Sequence, residues 1–175
     1  MIRFLILSAV FLSSACGYTT RGSIYAGRKI IIQPVVNKID VTSIDRESSG
    51  YVNFPILVEN KLTNEIVSRF NIDGQLKVVS DDPDALKLSC TVNGYTKRTL
   101  RYDEGTDGTV KEQRLNLDTS IKLVGPDGEV LMDKTVVGQS DYFLTGTGAK
   151  SESAAQADLV TDTARRISEA VLEEW

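Results

Sequence analysis

Lys97, Arg98 and Arg101 crowd one short stretch beside Tyr95 and Tyr102, and Lys111 and Arg114 follow across an acidic connection. Guanidinium and ammonium groups so spaced can hold the phosphates of an anionic lipid through charge-assisted hydrogen bonds. Asp103, Glu104 and Glu112 are close enough in sequence to neutralise part of that field, so a salt-bridged hairpin without a ligand is the competing account. The chain carries a net charge of −4, which argues against a uniform nucleic-acid or anionic-membrane surface and leaves a local cluster as the form an anion site can take. Other chemistry finds less support. The absence of histidine removes the commonest general base and metal ligand. Asp81-Asp82-Pro83-Asp84 lacks the glycine and distant glutamate of a calcium loop and reads as a solvated turn. Asp103, Glu104 and Asp107 share a connection without a pocket signature, and Gly105 and Gly108 lie between strands, not at the strand-to-helix turn of a phosphate cradle. An enzyme, a metal site and a cofactor are therefore not expected.

The two cysteines have different settings. Met1-Ile2-Arg3 supplies one positive charge, Phe4 to Leu12 is an apolar run broken only by Ser8, and small residues Ser13-Ser14-Ala15 precede Cys16. That order is an export signal, and its apolar run is too short for a bilayer core of ~30 Å. It is similar to a lipoprotein signal peptide, which implies that residues 1–15 are removed and that Cys16 carries the lipid. Acyl chains burying CH₂ groups at ~0.8 kcal/mol each hold such a protein on a membrane. Gly17, in place of an aspartate, favours delivery to the outer membrane. The competing account is an ordinary signal peptide cut near Ala15. Cys90 sits on the apolar side of the alternating run Leu86 to Val92 and reads as a small buried residue. With Cys16 lipidated, it has no partner for an internal disulfide.

These groups need a scaffold, and the mature chain supplies one. Its 160 residues, 16–175, suit a single domain, with residues 16–27 as a lipidated tether and 28–175 as the folded part. Arg28 to Val36 reads as a strand buried on both faces, ending near Pro34. Residues 37–50 read as loop. Val58, Leu62, Ile66 and Phe70 recur every four positions, which predicts an amphipathic helix starting near Pro55 and ending at Asn71 to Gly74. Gln75 to Ser80 predicts a short strand. Three longer strands then follow: Ala85 to about Thr99, Glu112 to Val124, and Glu129 to about Gly138, the last two joined by the turn Gly125-Pro126-Asp127-Gly128. Ser151 to Trp175 reads as a helix opened by a capping box, Ser153 to Gln156, with Trp175 closing onto the core or meeting a partner. The expected fold class is α+β: a two-layer sandwich with a mixed sheet of about four strands and both helices on one face. The other face should be more polar.

Laid out in this order, the chain resembles the lipopolysaccharide-assembly lipoproteins, the LptE-like family of the Gram-negative outer membrane. The features that carry the likeness are Cys16-Gly17-Tyr18, Arg28 to Pro34 as first strand, and the helix ending in Phe70. Leu76 to Asp81 before an alternating strand, Val92-Asn93-Gly94-Tyr95 with basic residues after it, and a final helix ending in Trp175 complete it. The resemblance implies a non-enzymatic lipoprotein, anchored on the periplasmic side of the outer membrane. It implies a partner, the integral β-barrel that translocates lipopolysaccharide (LptD-like), which the lipoprotein plugs and helps to assemble. Lipopolysaccharide itself is an implied ligand; its assignment to Lys97, Arg98, Arg101, Lys111 and Arg114 rests on charge. The alternative is a periplasmic lipoprotein that activates a peptidoglycan synthase or scaffolds another envelope complex.

Overall fold

The computed structural model of the chain describes residues 24–39, 55, 57–103 and 108–173. Cys16, Glu104, Gly105, Asp107, Trp175 and most of the 37–50 connection lie outside them. The element order is β1 (Lys29–Ile32), β2 (Val36–Asn37), α1 (Val58–Asp73), β3 (Lys77–Val78), β4 (Leu86–Tyr102), β5 (Val110–Val124), β6 (Val130–Phe143) and α2 (Glu152–Leu172). The class is α+β as expected, but the mixed sheet has six strands, ordered β3-β1-β4-β5-β6 with β2 also beside β4.

One of the additional strands has a local cause. The run expected as one strand from Arg28 to Val36 is cut by Pro34, which has no N–H to give to a ladder. Gln33 N donates to Leu88 O at 2.9 Å, while Val35 N turns away to Thr63 Oγ1 of α1 at 3.0 Å. Pairing with β4 resumes at Val36 opposite Thr91. Nor is β1 buried on both faces: Ile30 is fully buried, and Ile31 and Ile32 are half-buried. Upstream, the expected tether already touches the domain, because Tyr25 is buried and Gly27 N donates to Gln75 O at 2.8 Å.

α1 buries Val58, Leu62, Ile66 and Phe70, the stripe that the four-residue spacing predicts. It ends at Gly74, whose φ of 72° is cheap only without a Cβ and whose N–H reaches Phe70 O. β4, β5 and β6 form an antiparallel meander longer than expected, with β4 reaching Tyr102, β5 starting at Val110 and β6 continuing past Gly138 to Phe143. α2 begins two residues earlier than the predicted capping box: Ser151, not Ser153, is the cap, its hydroxyl accepting from Ala154 N at 3.2 Å.

Both helices cover one face of this sheet, where Leu86, Leu88, Cys90, Val92, Leu115, Leu117, Ile121 and Leu123 meet the buried stripes of α1 and α2. The opposite face is polar. There Asn93 donates to Ser120 at 2.6 Å, Asn116 to Thr96 at 3.1 Å, and Ser89 to the carbonyl of Lys122.

Candidate functional site

A bulge in β4 decides where the five cations go. Val92 pairs with Thr119 and Gly94 with Asp118, so Asn93 is an extra residue and the inside–outside alternation changes phase there. Gly94 suits the spot, since a Cβ would come 2.8 Å from Asp118 Oδ2. Beyond the bulge Tyr95 and Lys97, both odd-numbered, face the helices, while Thr96 and Arg98 face the polar side.

Lys97 is accordingly drawn under α2, where its ammonium meets Glu152 Oε2 at 2.9 Å. It joins a polar layer beneath the start of that helix, with Tyr95 bonded to Gln156 and Tyr142 donating to Gln113 Oε1 at 2.7 Å. Burial pushes both tyrosine hydroxyls up to about 12. On the other face Arg98 pairs across the strands with Arg114. Arg114 grips Asp141 of β6 with two hydrogen bonds of 2.6 Å. The bond to Arg114 holds the Asp141 carboxyl below its ordinary value, against the opposing effect of burial. Arg101 lies 3.3 Å from Glu112 and remains largely exposed. Lys111 sits at the start of β5, where its carbonyl accepts from Leu144 N. Arg98 and Lys111 make no ion pair with another described residue.

The cluster is thus divided. One cation is built into the fold, two are matched by carboxylates, and Arg98 and Lys111 have no carboxylate partner among the described residues. Exposed Tyr102 and Leu100 lie on the same hairpin end, which gives it an apolar as well as a cationic character. Asp103 N closes the end onto Thr109 O at 2.9 Å. Sequence reasoning overlooked Asp141 because β6 was expected to stop near Gly138; the signal was Ser140 and Tyr142, which continue the alternation.

The remaining candidates are structural. Cys90 is buried, and burial pushes its thiol up to about 12, so it is a core residue of the same cluster as Leu88 and Val92. Asp82 of the acidic turn pairs with Lys29 at 2.5 Å and accepts from Asp84 N. Among the described residues no three His, Cys, Asp or Glu side chains converge as a metal site.

Comparison with known proteins gives the arrangement its family. Among solved structures, the chain is similar to a minor lipoprotein from Acinetobacter baumannii, with 18% identity over 82% of this chain and 91% of that one and a TM-score of 0.50. It is also similar to the rare lipoprotein B from Shewanella oneidensis, with 15% identity, coverage of 80% and 92%, and a TM-score of 0.47. Identities this low speak to fold alone. No curated protein matches the chain. The model of the LptE lipopolysaccharide-assembly family matches residues 36–173, nearly everything from β2 to the end of α2, and the chain therefore belongs to that family.

Proposed function

We propose that this chain acts as an outer-membrane lipoprotein, anchored through an acylated Cys16 on the periplasmic side, which partners and plugs the barrel that carries lipopolysaccharide to the cell surface. The observation that carries this reading is the family match over residues 36–173. Support comes from the polar sheet face, with Asn93, Ser120, Asn116 and Thr96 joined by hydrogen bonds, because the lumen of such a barrel is lined by polar side chains. The role is one of assembly and delivery, without a catalysed reaction. At the hairpin end Arg98 and Lys111 meet lipopolysaccharide phosphates, with Arg101 and Arg114 shared between ligand and carboxylate. Lys97, held by Glu152, serves the fold.

Affinity purification from detergent-solubilised membranes tests the partnership: one integral barrel should come down in near-equimolar amount. A peptidoglycan synthase in its place would overturn the reading. For the ligand, Arg98→Glu with Arg101→Glu should weaken lipopolysaccharide binding several-fold at low salt and less at high salt, where the screening length shrinks to ~3 Å at about 1 M. Unaltered binding at low salt would assign these arginines to solubility.

A further inference from the structure

We infer that the end of the domain at which the N-terminal segment arrives is a bilayer-contacting surface, with Ile24 and Ile72 entering the lipid interface. The inference rests on the reading of Cys16 as the anchor. Ile72 is 77% exposed and Ile24 62%, the two highest values among the exposed large apolar residues described. The segments that carry them are joined by a backbone hydrogen bond. Ile24 is three residues before Gly27, Ile72 is three before Gln75, and Gly27 N donates to Gln75 O at 2.8 Å. Tyr25 is buried beside Ile24 and pins the turn that presents it. The charges nearby, Arg28, Lys77 and Asp73, are of both signs, so apolar partition into a bilayer accounts for this surface better than attraction to a charged partner.

Chain length gives the bilayer as the occupant. Seven residues, 17–23, separate Cys16 from Ile24, and eight steps of ~3.6 Å reach at most about 29 Å. The cationic hairpin end lies about 50 Å away along β4, at ~3.3 Å per residue from Leu86 to Arg101. Of the two ends, the one with the isoleucines is the one a membrane-held Cys16 keeps at the interface. Confinement there raises the effective concentration of lipid around two side chains that would bind it weakly from solution.

The test uses the mature acylated chain in vesicles of phosphatidylethanolamine and phosphatidylglycerol, with Ile72→Cys carrying a nitroxide. Cys90 is buried and Cys16 is blocked by lipid, so the label goes to position 72; Thr135→Cys on exposed β6 is the aqueous control. Collisions with oxygen relative to a water-soluble nickel complex should rise several-fold at 72 on reconstitution, stay low at 135, and fall back at 72 when Ile24→Ser is added. A label at 72 as aqueous as that at 135 would overturn the inference. Protection at 72 that arises only when the barrel is present would overturn it too, making this end a protein contact. The mass of the N-terminal peptide separates the two readings: an unacylated Cys16 removes the anchor and this inference with it, whereas an acylated chain with an aqueous 72 removes the inference alone.

Discussion

At Gly138 the sheet leaves α2 no room for a side chain. A Cβ there would collide with Thr163 Oγ1 and lie 2.8 Å from Thr163 Cβ and 3.0 Å from its Cα. The threonine cannot swing away freely, because its hydroxyl donates to Leu159 O at 2.7 Å. Gly138→Ala should therefore cost about 1–3 kcal/mol, the usual penalty of overpacking, read as a lower thermal midpoint. Adding Thr163→Ala should restore part of it and not all, since the backbone contact remains. One residue back on the same helix, Asp162 gathers three donors: Gln139 N at 2.8 Å and the Arg165 and Arg166 guanidiniums at 2.6 Å each. Burial raises its carboxyl, but the bonds from Arg165, Gln139 and Arg166 together outweigh it and leave the group more acidic than usual. With the folded value below the unfolded one, the unfolded chain takes up the proton first. The contribution is then whole at neutral pH and is lost as pH falls below about 4 and through the folded value. Asp162→Asn should cost about 1 kcal/mol at pH 7, after discounting for the partly exposed arginines, and the gap from the parent should close in acid. A gap independent of pH would assign the loss to shape and not to charge.

Elements carry their own strain, and α1 has it at its start. Leu57 sits at φ 58° with no side-chain cap on the helix it opens, and its side chain is mostly exposed. A left-handed conformation costs an ordinary residue roughly 1–2 kcal/mol, and glycine recovers this less its greater freedom when unfolded. Leu57→Gly should raise stability by about 0.5–1 kcal/mol, measured by denaturant unfolding; a lower midpoint would rule out strain as the dominant effect. The same element shows how legible the chain is. The stripe of α1 could be read directly, because spacing on a helix determines its face, and the meander was equally plain from alternation and the Gly125 to Gly128 turn. Spacing failed where one residue changes the count. Pro34 splits what reads as a single β-branched strand into β1 and β2. Asn93, extra in β4, moves Lys97 to the helix side and Arg98 to the polar side, so cations adjacent in sequence are not one surface. A bulge leaves almost no mark in hydropathy, since its cost and purpose lie in the partner strand. Ser151 capped where Ser153 seemed placed to, for a related reason: either serine offers the hydroxyl, and only the path of the chain out of β6 selects between them.

At the scale of the molecule, function divides along β4. The N-terminal segment enters beside Gln75 at one end, and Arg98 and Lys111, which form no ion pair with another described residue, sit about 50 Å away by strand rise at the other, on an elongated sheet whose polar face is open along its length. A domain of this kind depends on where it is held more than on any reactive group. If Cys16 is the anchor, its contribution is concentration: it keeps plug and barrel in one membrane and converts a bimolecular encounter into a local one. Cys16 lies nine residues before Tyr25, the first of the described core residues. Cys16→Ser in an exported chain should therefore leave the unfolding midpoint of the purified domain unchanged, while the yield of mature barrel at native abundance falls. Raising the amount of the unanchored chain should bring the yield back, because excess supplies the encounters that the anchor otherwise provides. Normal barrel assembly by the unanchored chain at native abundance would show that position contributes nothing, and the burden would shift to the polar face and the hairpin end alone.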